Sequence, residues 1–99
     1  MSRRTLREYC TRPGRYEAEP GITAWIEEVE SAEWRNFREV KASYASASSA
    51  GDSRIVFNIA GNKHRLVVFV NYEAGIVFVK FLGTHAEYDR IDARTVNDF

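Results

Sequence analysis

The chain has 99 residues, enough for one domain around one modest core. Its 44% hydrophobic and 28% charged residues are those of an ordinary globular protein. The basic and acidic residues balance at 14 each, eight against eight up to Ala50 and six against six beyond it, which excludes a global field drawing the protein to nucleic acid or a membrane surface.

Taken in order, Met1–Arg3 offers a short edge strand, and Arg4–Thr11 puts Leu6, Tyr9 and Cys10 on one helical stripe that ends at Pro13-Gly14. Arg15–Glu19 reads as a polar connector. Pro20 suits the first turn of the next helix, where Ile22, Trp25, Ile26, Val29 and Ala32 follow helical spacing and the glutamates fall on other faces. This is the clearest helix of the chain, and its stripe is expected to lie on a sheet, with Trp34 closing the core. A third short helix, from about Asn36 to Tyr44, aligns Phe37, Val40 and Tyr44. The small and polar residues of Ala45–Ser53 predict a loop.

Three β-branched and aromatic runs follow, Arg54–Ile59, His64–Tyr72 and Gly75–Leu82. The gaps between them, Ala60–Lys63 and a turn centred on Glu73-Ala74, are too short for crossovers, so the strands form an antiparallel meander. The fold class is therefore α+β, with N-terminal helices packed on one face of an antiparallel β-meander of at least three strands, in a single domain over residues 1–99.

The register follows from the loops. The first turn pairs Ile59 with His64 and Asn58 with Arg65; the second pairs Asn71 with Ile76, Val67 with Lys80 and Arg65 with Leu82. Alternation then gives a core face of Ile55, Phe57, Ile59, Leu66, Val68, Val70, Val77, Val79 and Phe81, with His64 at its rim. The other face carries Val56, Val67, Phe69, Phe78 and Leu82, together with a polar group of Asn58, Arg65 and Lys80. Beyond it, Thr84-His85-Ala86-Glu87 has the pattern of a capping box, predicting one helical turn with His85 at its first position. The tail Arg90–Phe99 has no periodicity and is expected to fray. No apolar run reaches transmembrane length, no signal peptide is expected, and the single Cys10 cannot make an internal disulfide, so a cytoplasmic location is the expectation.

Two stretches, VFNIAGNKHRLVVFVNY and VKFLGTHAEYD, resemble the HigB-type toxins of bacterial toxin–antitoxin pairs, within the RelE-like superfamily. The helical stretch WIEEVESAEWRNFREVKASYASAS is similar to the same family, although Phe37 stands where proline is frequent. The resemblance implies a RelE-like fold and an mRNA endoribonuclease acting on translated message at the ribosome. It also implies a cognate helix-turn-helix antitoxin of the HigA kind, and operator DNA bound only through that antitoxin.

Metal-free RNA cleavage needs a base for the 2′-hydroxyl, an acid for the 5′ oxygen and donors for the phosphorane charge. His85 is the candidate acid or base, because imidazole exchanges protons near neutral pH; the plain alternative is a loop histidine, and the resemblance favours catalysis. Arg65 is the candidate phosphate clamp, against a cross-strand ion pair. Lys80 completes the catalytic candidates, against an edge-strand lysine that blocks aggregation. Asn62 and Lys63, in the turn beside Arg65, and Asn58, Tyr88 and Arg54 are candidates for binding RNA or phosphate. Asn62 is first a turn residue, and Tyr88 first a packing residue. No ligand-spaced cluster suggests a metal, and no cofactor is expected. The alternative reading is a non-catalytic RNA- or protein-binding module that acts as an antitoxin-bound transcriptional co-repressor.

Overall fold

The structure, a computed structural model, describes residues 3–99; of the expected N-terminal edge strand, Met1 and Ser2 lie outside the described residues, and Arg3 already opens a helix. That helix, α1 (Arg3–Tyr9), buries Leu6 and Tyr9 and breaks before Gly14, whose φ of +79° turns the chain back. A single 3-10 turn at Tyr16–Ala18 then leads directly into α2 (Glu19–Ser31), with Pro20 in the first turn where its missing N–H costs nothing. The helix α3 (Phe37–Ser43) is capped by Asn36, whose side chain accepts the Glu39 amide at 3.1 Å.

Four antiparallel strands follow in simple order: β1 (Ser48–Gly51), β2 (Arg54–Ile59), β3 (His64–Asn71) and β4 (Ile76–Thr84). β1 corrects the loop expected over Ala45–Ser53. Its small, polar, mostly exposed side chains carry no alternation, but Asp52 and Ser53 both take positive φ, and this two-residue turn folds Gly51 back onto Arg54.

The helices cover one face of the sheet. Ile22, Trp25 and Ile26 of α2 are buried with Ile55, Phe57, Leu66, Val68 and Val79. Trp25 meets Phe57 edge-on, with ring centroids 5.5 Å apart, and Trp34 stacks on Phe57 at 6.3 Å.

The register agrees with expectation through the first turn and at Asn71–Ile76, then departs from it in β4. Val68 pairs with Val79, but Val67 pairs with Phe81, so Lys80 is an extra residue in a β-bulge, and Arg65 pairs with Gly83 instead of Leu82. Beyond the bulge the alternation slips by one residue. Leu82 enters the helix-side core, and Phe81, expected there, joins Val56 and Val67 on the outer face.

That outer face is not bare. The tail expected to fray lies on it: Ile91, Ala93 and Val96 pack with Tyr88 against Val56, Val67 and Phe81. The tail is tied down by a turn in which the Asp92 carbonyl accepts the amides of Thr95 and Val96, and by the Asp98 amide donating to the Lys80 carbonyl at 2.9 Å. Turns, not a helix or strand, bring its apolar residues to one side, which is why it shows no period. No helix among the described residues is long and apolar enough to cross a membrane.

Candidate active site

The candidate site forms where β3 begins and β4 runs into α4 (His85–Tyr88). The Ala60–Lys63 turn needs positive φ at Ala60 and Gly61, and it delivers Asn62 and Arg65 to the same corner. There an Nη1 of Arg65 donates to Oδ1 of Asn62, and the guanidinium lies 5.6 Å from the centre of the Tyr88 ring. Asn58 faces Arg65 across the β2–β3 ladder. Tyr88 is half-buried, with its ring 6.4 Å from that of Phe81, so it packs as expected while offering its face to Arg65.

α4 is a single turn with the predicted capping box. The Thr84 hydroxyl accepts the Glu87 amide at 3.2 Å, and Glu87 Oε1 accepts the Thr84 amide at 2.8 Å. His85 is its first residue, and its amide donates to the Lys63 carbonyl at 2.9 Å, so the helix start is sewn to the turn beside Arg65. The half-exposed imidazole places Nδ1 3.2 Å from Oδ2 of Asp89. In the neutral tautomer whose proton sits on Nδ1, beside that carboxylate, Nε2 is the proton acceptor. The helical i to i+4 spacing is what brings Asp89 to His85.

Two candidates lie elsewhere. Lys80 sits at the bulge, three residues before Gly83, or roughly 10 Å along extended chain. Its ammonium donates to Asn97 Oδ1 at 3.1 Å and lies 5.8 Å from the Phe78 ring centre. The bulge sets it one residue further from the partner of Arg65 than strict alternation does, and the tail residue Asn97 engages its ammonium. Arg54, expected at a contact surface for RNA, instead clamps the tail: its Nη1 donates to the carbonyls of Ala93 and Val96, at 3.2 and 2.6 Å. Lys63 is exposed beside His85 and is the lysine that the turn brings to the site.

A second polar group, absent from the sequence reading, adjoins the site. His64, expected at the rim, is 1% exposed. Its Nδ1 meets the Tyr9 hydroxyl at 2.8 Å and its Nε2 meets Glu17 Oε1 at 2.9 Å. The Tyr9 oxygen accepts an Nη1 of Arg15 at 2.9 Å, and Arg15 forks onto both oxygens of Glu87, at 2.9 and 2.8 Å. One set of proton positions satisfies every link: Arg15 donates to Tyr9, Tyr9 to His64 Nδ1, and His64 Nε2–H to Glu17. The Arg15 fork, helped by the Thr84 amide, holds the Glu87 carboxyl down to about 2, and the same fork raises the Arg15 guanidinium. The bond from His64, and more weakly the charge of Lys63, lowers Glu17. Burial raises the Tyr9 hydroxyl against the opposing pull of Arg15. No local signal joins these residues, since Arg15 and Glu87 stand 72 positions apart.

A helix-covered antiparallel meander, with a cationic, amide-bearing corner beside a histidine turn, defines a small RelE-like domain. The family model of HigB toxins, described as the RelE-like toxic component of a toxin–antitoxin system, matches residues 18–91, and the chain belongs to that family. A search of curated proteins finds no significant match. As the toxic component of such a system, the protein has an antitoxin as its partner.

Proposed function

We propose that the protein is an mRNA endoribonuclease that cleaves through attack of the 2′-hydroxyl, without a metal, on message presented by the ribosome. The observation that carries this reading is the corner itself: Arg65, steadied by Asn62 and Tyr88, beside a turn whose His85 is oriented by Asp89. In the reaction the 2′ oxygen forms a bond to phosphorus and the bond to the 5′ oxygen breaks. One proton leaves the 2′-hydroxyl and another goes to the departing oxygen. His85 Nε2 carries out one of these transfers. Arg65, with donors beyond the one given to Asn62, holds the phosphorane oxygens, and Lys63 adds charge beside it. The products are a 2′,3′-cyclic phosphate, or the 3′-phosphate from its hydrolysis, and a 5′-hydroxyl.

Ribosome dependence is supported by charge. With a net charge of zero and few cations beside the turn, Lys63 and Arg65 among them, few phosphates can be neutralised, and affinity for free RNA is weak and salt-sensitive. Positioning by the ribosome can supply much of the remainder, since holding reactants in line is worth up to ~7–11 kcal/mol. The family reading further supports a helix-turn-helix antitoxin whose complex with this protein represses their own operon.

The test treats one mRNA with purified protein, with and without programmed ribosomes at matched salt, and maps the new RNA ends. Cleavage with ribosomes, leaving 5′-hydroxyl ends, is the expected outcome. Equal rates in both tubes reject ribosome dependence, and 5′-phosphate ends reject 2′-hydroxyl attack. In a ribosome-free assay with a large RNA excess, residual cleavage is expected to survive EDTA. An inert protein that binds its antitoxin tightly rejects the enzyme in favour of a co-repressor.

A further inference from the structure

The turn that presents His85 and Tyr88 has little of its own to hold it. α4 is one turn long and buries no residue, and a helix this short does not persist by its own hydrogen bonds. Besides the packing of Tyr88, three polar ties keep it in place: the capping box, the bond from its first amide to Lys63, and the Arg15 fork on Glu87. Glu87 lies between His85 and Tyr88 in sequence, so whatever fixes its carboxylate fixes the direction of both neighbours.

Arg15 is in turn held from behind. Its guanidinium lies 4.8 Å from the centre of the Tyr9 ring and donates to the Tyr9 hydroxyl, which is bonded to the buried His64. Gly83 makes an independent case that the carboxylate has a prepared place. A Cβ there would lie 2.9 Å from Glu87 Oε1 and 2.6 Å from the Phe81 ring, so a larger residue would have to displace one or both from where they sit. Tyr9, Arg15 and Glu17 all precede the residues matched by the family model, 18–91. The segment before the matched core thus reaches into the candidate site from outside it.

We propose that Arg15 is a positioning residue for the candidate active site, setting through Glu87 the turn that presents His85 and Tyr88, with Tyr9 and His64 holding Arg15 in place. The inference rests on the ribonuclease reading for its kinetic consequence but not for its structural one. Glu87 remains ionised through the physiological range, so the fork is a charged, two-bond clamp with a single geometry.

The experiment compares wild type with Arg15→Gln, Arg15→Lys, Glu87→Gln and the Arg15→Gln/Glu87→Gln double variant. It measures kcat and KM on ribosome-bound mRNA and the NMR signals of the His85 and Tyr88 rings. Arg15→Gln is expected to lower kcat about ten- to a hundred-fold, with KM nearly unchanged, because a misplacement of an ångström costs that much. Arg15→Lys, which keeps the charge and one bond, recovers part of the rate. Glu87→Gln keeps the capping box yet falls as Arg15→Gln does, and the double variant is no worse than either single one, as for residues acting as one unit. Both ring signals shift in every variant. Full kcat in folded Arg15→Gln, or losses that simply multiply in the double variant, overturns the proposal. Should Arg15→Gln fail to fold, Arg15→Lys and Glu87→Gln decide by the same readouts. Should the wild type cleave nothing, the nuclease reading falls alone; ring signals that stay unmoved in the variants then overturn the brace, and signals that shift sustain it.

Discussion

The two histidines of this protein lie close in the fold and differ in nearly everything that matters for chemistry. His64 is 1% exposed and both its ring nitrogens are bonded, to Tyr9 and to Glu17. The His85 side chain is 43% exposed, with one nitrogen on Asp89 and the other without a partner among the described residues. The first is the middle of a satisfied chain, in which a lost partner leaves a buried polar group stranded. The second has an oriented ring and a free lone pair, the arrangement a proton-transfer group requires. Burial and bonding together, not residue type, separate the structural histidine from the candidate catalyst.

The larger loss of activity belongs to the exposed ring. His85→Ala is expected to lower cleavage about 10²- to 10⁴-fold, with an unchanged melting temperature because the side chain buries little. Comparable activity in the variant would move the proton transfer to another group. His64→Ala is expected to act mainly on stability. Removing it strands the Tyr9 hydroxyl at a cost of ~1–3 kcal/mol, read as a lower urea midpoint, and the protein that remains folded loses less kcat than Arg15→Gln does, because Tyr9 and Glu87 still bond Arg15. An unchanged midpoint would mean that the buried chain contributes nothing to stability.

A smaller effect sharpens the role of the chain. The Glu87 carboxyl is lowered from its ordinary 4.5 to about 2 in the folded protein. A lowered folded value means that the stability is fully present above the ordinary carboxylate range and is lost as pH falls through about 2. Glu17 is lowered too and acts in the same direction. Glu87 is 43% exposed, so solvent screens the pair and the effect is modest. The melting temperature should fall from pH 4.5 downwards, less steeply in Glu87→Gln; parallel curves would show that the fork adds no pH-dependent stability. The least change is expected at the two cations engaged by the tail. Arg54→Ala is expected to cost ~0.5–1.5 kcal/mol and to raise amide exchange in residues 91–98, and Lys80→Ala should leave kcat within about twofold. A Lys80→Ala variant without activity would restore the lysine to the chemistry.

Much of the site was legible in the sequence because its parts are local. The Asn58–Arg65 pairing follows from a four-residue turn, and the His85 turn follows from Thr84 and Glu87. Lys80 was assigned to the site because strict alternation in β4 carried it beside Arg65. A bulge is one inserted residue, and no composition marks Lys80 as the one that slips. Arg54 and the tail were missed for a related reason: the partners of a surface arginine are two carbonyls about forty positions away, 39 and 42 along the chain.

Local order along the chain encodes whatever repeats at a fixed period or closes within a few residues: the α2 stripe, the meander, the first-turn register, the capping box and the family. These depend on neighbours along the chain, so the residues that encode them stand together. The tertiary structure alone decided the bulge that exchanges Phe81 for Leu82, the docking of the tail, the burial of His64 and the Arg15–Glu87 fork. Each of these joins segments whose meeting is set by how helices, sheet and tail pack in three dimensions. The hydrogen bonds that result, such as those 47, 55 and 72 positions apart, leave no spacing in the sequence to be read.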